Sequence, residues 1–211
     1  MSDLATIQRD WDAAARQNAF YNIITIPGLT EQEFWERGER EIEDVLDRVG
    51  VVRRMRALDF GCGIGRLTQA LGRHFVQVDG VDISSEMIGL AKQHNRHKHC
   101  FYHHNATGDL ALFAVDTFDL VYSMIVLQHM PSHLAKGYIR EFLRVVRPGG
   151  YAVFQIPDGP DLQSHGSEWL SMYGTPRADV ESWVEGATLL EVEDSGTDGA
   201  GYTSYRYTVQ K

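Results

Sequence analysis

The sequence predicts an α/β fold: a doubly wound, seven-stranded, mostly parallel sheet with an antiparallel last strand, behind an N-terminal helical cap. Two observations predict it. From Ala57 onward, short apolar runs alternate with helical stretches, the texture of a parallel sheet covered on both faces. Near the C-terminus two apolar runs flank residues 194–201, eight residues with three glycines, a connection that suits an antiparallel pair. With 43% hydrophobic and 10% aromatic residues among 211, the composition is that of a globular chain of ordinary size. Residues 1–50 read as the cap and 51–211 as one compact unit built on the sheet.

In the cap, Leu4, Ile7, Trp11, Ala14 and Ala15 recur at helical spacing, and this first helix is expected to end near Ala19. Residues 20–29 contain Pro27 and Gly28 and read as a loop apolar enough to cover a pocket. Thr30 and Glu33 then form a capping box. Phe34, Gly38, Ile42, Val45, Leu46 and Val49 mark one helical face, and Gly50 stands where that helix should stop.

Five strands are expected after the cap, at 57–60, 77–81, 100–104, 118–123 and 151–156, with helices after the first four near Gly65, Ser85, Ala111 and Ser132. Arg147-Pro148-Gly149-Gly150 has proline and glycine in type II turn order, so it closes the Ser132 helix and opens the fifth strand. Thr175-Pro176 places proline at the first position of a last helix that carries Val180, Trp183 and Val184 inward. Residues 188–192 and 202–209 are the closing pair of strands.

The net charge of −9 and pI near 5.4 repel phosphate backbones, which excludes nucleic acid as the expected substrate and leaves a small molecule. The first residues lack a basic segment followed by an apolar run, and nowhere do about 18 apolar residues stand together. No membrane span and a cytoplasmic location are expected, and the oligomeric state is open. Of two cysteines, Cys62 sits between two glycines in a turn, so no disulfide framework is expected.

Ligands of open parallel sheets bind beyond the carboxyl ends of the strands, where the first strand turns into its helix. The turn here is Asp59-Phe60-Gly61-Cys62-Gly63-Ile64-Gly65, whose glycines permit positive φ and let a ligand lie against the main chain. A dinucleotide fingerprint would place a small residue three positions after Gly63, and that position is Arg66. At the end of the second strand Asp82 stands where a carboxylate can accept both hydroxyls of a ribose; the alternative is that it caps the helix from Ser84. Asp79 lies inside the strand.

The ordered set Ala57-Leu58-Asp59-Phe60-Gly61-Cys62-Gly63-Ile64-Gly65-Arg66, then Gly80-Val81-Asp82-Ile83-Ser84 with Met87, then Phe118 to Ser123, then Arg147-Pro148-Gly149-Gly150 resembles the motifs of class I S-adenosylmethionine-dependent methyltransferases. The resemblance covers roughly residues 57–156 and implies a Rossmann-like methyltransferase fold with S-adenosylmethionine as cofactor. It implies that Asp59 and the backbone of Gly61, Cys62, Gly63 and Gly65 lie against the cofactor's methionine portion and that Asp82 holds the ribose hydroxyls. Ile83 and Met87 would flank the adenine. Where many members carry an acid after the third strand, this chain has Asn105, then Ala106; the amide oxygen of Asn105 can still accept from the adenine amine. Ser123, Met124 and Ile125 would approach the sulfonium.

The methyl acceptor is expected to be an oxygen or nitrogen of a small molecule. The alternative is an inert cofactor-binding or scaffolding protein. An amine needs little beyond alignment, whereas a hydroxyl gains from a base near neutral pKa. His129, just past the fourth strand, is the best-placed histidine, with loop support as its other role; Tyr21 is the second candidate, for the acceptor or the cofactor carboxylate. Trp11, Tyr21, His129, Asp158 and Tyr173 are the candidate acceptor contacts, with His165 a further polar one. His94, His97, His99, His103 and His104 span a helix end, a loop and a strand, and no metal is expected.

Overall fold

A computed structural model describes residues 4–50, 53–159, 164–165, 171–197 and 203–211; for Ser164, His165 and Thr197 it describes the backbone alone. Helices α1 (Leu4–Ile23) and α2 (Glu31–Val49) precede the sheet. Strand β1 (Arg56–Phe60), helix α3 (Arg66–Leu71), strand β2 (Gln77–Asp82), helix α4 (Ser85–His94) and strand β3 (Cys100–His104) follow. Then come β4 (Phe118–Ser123), a short 3-10 turn at Leu127–His129, α5 (Ser132–Val145) and β5 (Val146–Pro157). Two-residue strands β6 (Ser164–His165) and β7 (Ser171–Met172) pair with each other, and α6 (Arg177–Trp183), β8 (Thr188–Thr197) and β9 (Thr203–Gln210) complete the chain.

The sheet order is β3-β2-β1-β4-β5-β9-β8. Strands β1 to β5 are mutually parallel, and β9 runs antiparallel to both its neighbours, so the last strand is the reversed one. Alternate side chains of the central strands enter two cores. Leu58, Val121 and Phe154 pack under α5 and α6 with Ile139, Phe142 and Val180. Ala57, Tyr122 and Val153 pack under α2, α3 and α4 with Ile42, Leu71 and Ile88.

Several sequence expectations hold in detail. Thr30 accepts from the Glu33 N–H while the Glu33 carboxylate accepts from Thr30, and Gly50 ends α2 in the left-handed region at φ +67°. Strands β3 and β4 have the expected bounds, and Gly149 takes the positive φ, +74°, that its turn position requires.

Four details differ. Helix α1 does not stop at Ala19; it breaks at Asn18 (φ −165°, ψ 91°), whose Oδ1 accepts from the Tyr21 N–H at 3.1 Å and starts a further turn through Ile23. No helix forms near Ala111. There α5 satisfies the backbone instead: Arg144 donates to the carbonyls of Leu110 (2.9 Å) and Phe113 (3.1 Å), and Glu141 accepts from the Leu110 N–H (2.8 Å). The Arg147–Gly150 turn lies within β5 as a bulge, because Phe118 pairs with Val146 and Leu120 already with Tyr151. Pro176 precedes α6 as its cap rather than opening it. Tyr202, expected to start the last strand, lies outside the described residues.

Candidate active site

Strand order reverses between β1 and β4, and the cleft lies beyond their carboxyl ends, the switch point of the sheet. It opens to solvent at its mouth. The turn after β1, the end of β2 and the segment after β4 form its walls, and Leu4, Ile7, Trp11 and Ile23 of α1 line it as a roof.

The turn is shaped by what a Cβ would meet. Gly61 (φ +73°) faces Val126, with methyl carbons 2.3 and 2.5 Å from a Cβ position, and Gly63 (φ +52°) faces Ile23 at 2.8 Å. Its N–H groups point inward. Gly61 and Cys62 both donate to the Val81 carbonyl (2.8 and 3.0 Å), Gly63 donates to Asp82 Oδ2 (2.8 Å), and Gly65 donates to the Cys62 carbonyl (2.8 Å). A pyrophosphate needs such donors turned toward it, and these are spent.

Asp82 accepts a second bond from the Ser84 N–H at 2.8 Å, so its carboxylate is fixed at the cleft wall. Burial raises its pKa to about 6 against the pull of those two N–H groups. Asp59, 1% exposed, accepts from the Thr68 hydroxyl at 2.6 Å; burial pushes it up to about 7, with the Thr68 bond and Arg66 opposing. The cleft therefore carries two carboxylates, and its one arginine among the described residues, Arg66, is already paired with Glu41.

Of the residues singled out from sequence, Trp11, Asp59, Gly61, Cys62, Gly63, Asp82, Ile83, Asn105, Met124, Ile125 and His129 do line the cleft. Asn105 is tied into its own loop, its side-chain N–H donating to the Asp109 carbonyl (2.7 Å) and its Oδ1 accepting from Thr107 (2.8 Å). Ile125 adopts φ +61°, strained for a β-branched residue, and Gln155 Oε1 holds its N–H at 2.9 Å.

The others sit elsewhere. Gly65 (φ +87°) faces Tyr102, whose hydroxyl would lie 2.6 Å from a Cβ, so its freedom serves helix packing rather than the cleft. Met87 is buried with Ala15, Ala19 and Phe34 between the helices. Ala106 is exposed, and Ser123 is fully buried behind the wall. Tyr21, in the extra turn of α1, opens onto a separate hollow with Asn18 and Leu29. Asp158 Oδ1 accepts from the Arg177 N–H at 2.9 Å and so caps α6, while Tyr173 is buried, its N–H bonded to the Gln128 carbonyl at 2.7 Å. The His165 side chain lies outside the described residues. Sequence reasoning missed Leu4, Ile7 and Ile23, although the spacing of the first two beside Trp11 marks the stripe that roofs the cleft.

His129 Nδ1 lies 3.2 Å from the Ser171 carbonyl, which can only accept, so Nδ1 carries the proton and Nε2 accepts from the Gln128 amide at 3.2 Å. Burial lowers its pKa to about 4, and Trp11 packs edge-on against the ring at 5.2 Å. The imidazole is neutral at pH 7 and ties the segment after β4 to β7.

Residues 34–191 match the family model described as a methyltransferase domain. The chain belongs to this methyltransferase family. Its fold is the Rossmann-like fold of class I S-adenosylmethionine-dependent methyltransferases, and S-adenosylmethionine is the cofactor of that class. Among solved structures, the magnesium protoporphyrin IX methyltransferase of Synechocystis with bound S-adenosylhomocysteine superposes with a TM-score of 0.72 at 18% identity, over 99% of this chain and all of that one. The ubiquinone biosynthesis O-methyltransferase of Aromatoleum aromaticum is 31% identical over 113 residues, 53% of this chain and 47% of that protein. That of Sodalis glossinidius is 27% identical over 156 residues, 71% and 62% of the two chains. The chain thus spans about half the length of the first of these curated relatives. Among the described residues no helix is long and apolar enough to cross a membrane.

Proposed function

We propose that this chain binds S-adenosylmethionine in the cleft and passes its methyl group to an oxygen or nitrogen of a small molecule. One observation carries the reading: the cleft joins two carboxylates, Asp59 and Asp82, to a glycine turn whose Gly61, Cys62, Gly63 and Gly65 N–H groups are already bonded within the fold. That wall repels a pyrophosphate and suits a ligand bearing a ribose and positive charges. The residues present fit the cofactor: the turn lines the cleft with backbone at Gly61 and Gly63, and Asp82, held by Gly63 and Ser84, keeps lone pairs for the ribose hydroxyls.

Bound S-adenosylmethionine supplies an electrophilic methyl group on sulfur, so the chain's own work is alignment and exclusion of water. Met124 and Ile125 wall the end of β4, and α1 closes over the opposite side with Leu4, Ile7 and Trp11. The largely apolar lining fits an apolar acceptor, and the names of the curated relatives support an oxygen acceptor. His129 serves this reading by positioning Trp11 and the wall. With a pKa near 4 and its Nε2 lone pair engaged by Gln128, it is a weak base for a hydroxyl acceptor.

The test is calorimetric titration of S-adenosylhomocysteine into the parent and Asp82→Ala. Loss of charge-assisted bonds to the ribose is expected to weaken binding by about 1 to 3 kcal/mol. An unchanged dissociation constant removes Asp82 from the ribose.

A further inference from the structure

Among the described residues other than glycine, Asp116 and Ile125 take positive φ. Asp116 lies before β4, at the end of the sheet away from the cleft, and aspartate tolerates that region. Ile125 follows β4, lines the cleft and is 37% exposed. At φ +61° its branched Cβ crowds the backbone, and a chain free to choose would leave the region or place glycine or asparagine there. Strain of this kind persists only where the surroundings dictate the conformation, and it gathers at working sites.

Two sides dictate it here. On one, Gln155 Oε1 of β5 accepts from the Ile125 N–H at 2.9 Å. Gln155 is 8% exposed and its backbone pairs with Arg206 of β9, so the acceptor stands on a rigid element. On the other, the branches of Val126 pack on Gly61 of the glycine turn, its carbonyl accepts from the His129 N–H at 2.9 Å, and Leu127 is fully buried. Among the described residues β5 contributes nothing to the lining of the cleft, so Gln155 reaches the site only through Ile125. With Val126 and Leu127 anchored, rotating φ out of the left-handed region turns the N–H off Gln155 and shifts Met124 and Ile125 against the glycine turn.

We infer that Gln155 is a positioning residue for methyl transfer: by holding the Ile125 N–H it keeps that residue left-handed, and so fixes the Met124–Ile125 wall at the spacing from Gly61 at which the donor's methyl group meets the acceptor. This rests on the cofactor reading above. The hydrogen bond offsets the strain, and a fixed spacing is what alignment of sulfur, methyl and acceptor requires. A glutamine that only satisfied a buried N–H would act on folding and leave the methylated and demethylated ligands equally well bound relative to each other.

The experiment measures the dissociation constants of S-adenosylmethionine and S-adenosylhomocysteine, which differ by the transferred methyl group and its charge, by calorimetry on the full chain. Gln155→Met keeps the length of the side chain and removes its amide oxygen. It is expected to weaken S-adenosylmethionine about fivefold more than S-adenosylhomocysteine, the worth of one neutral hydrogen bond. Glycine adopts φ +61° without strain, so Ile125→Gly no longer needs the bond; adding Gln155→Met to it should move the ratio of the two constants by less than about twofold. Equal weakening of both ligands, no change in either, a loss that falls on S-adenosylhomocysteine, or the same shift of the ratio in both backgrounds overturns the proposal. A parent that binds neither ligand overturns the cofactor reading itself. Should Gln155→Met not fold, Gln155→Asn, one methylene shorter, takes its place under the same criteria.

Discussion

Asp59 and Asp82 hold protons in the folded protein that the same residues lose near pH 3.8 when unfolded, because burial raises them to about 7 and about 6. Between those values the folded state binds more protons than the unfolded one, so their contribution to stability is greatest on the acid side and falls as pH rises. His129 works in the opposite direction. Lowered from 6.5 to about 4, its contribution is complete above pH 6.5 and is lost as pH falls toward 4. Asp59→Asn keeps an acceptor for Thr68 and removes one falling contribution. Its thermal midpoint relative to the parent is therefore expected to rise from pH 5 to about pH 7 and to level off above that. A pH-independent difference between the two proteins contradicts the raised pKa of the buried Asp59. The cleft positions that follow from the strand-turn spacing, Gly61, Gly63 and Asp82, were legible in the sequence. Tyr21, Asp158 and Tyr173 were not, because the turn at Asn18 and the packing of the segment after β5 set their directions. Met87 sits at a legible position, yet the helices around it, not the cleft, take its side chain.

At the scale of elements, the cleft is formed by three segments: the turn after β1, the segment after β4, which meets it at Gly61, and the roof α1, which meets it at Gly63. Gly61→Ala forces an L-residue to φ +73°, which costs about 1 to 2 kcal/mol, and also drives a Cβ into both branches of Val126. Adding Val126→Ala removes those branches but not the backbone cost. The double variant is expected to recover part of the stability lost by Gly61→Ala in urea unfolding, a non-additive cycle. Strict additivity contradicts the contact. The elements themselves were largely legible, since capping, turn chemistry and strand periodicity are local. The absent helix near Ala111 was not, because Glu141 and Arg144, some 30 residues later, satisfy that backbone. The extra turn of α1 after Asn18 escaped for a similar reason, and with it the placement of Ile23 over Gly63.

Across the whole molecule, the five parallel strands bring the ends of β1, β2 and β4 to one edge, and α1 lies across them. The antiparallel β9 enters between β5 and β8, and Lys211 and the Gly149-Gly150 turn exchange backbone bonds, Gly149 N–H to the Lys211 carbonyl at 2.6 Å and Lys211 N–H to the Gly150 carbonyl at 3.1 Å. The overall charge of −9 and the two cleft carboxylates agree in sign, so the molecule favours a cationic ligand at long range and at contact. Calorimetry on the intact chain with S-adenosylmethionine and, separately, with NAD tests this most directly. Saturable binding of S-adenosylmethionine at one site per chain, with no heat from NAD, is the expected result. Binding of NAD without binding of S-adenosylmethionine would contradict it.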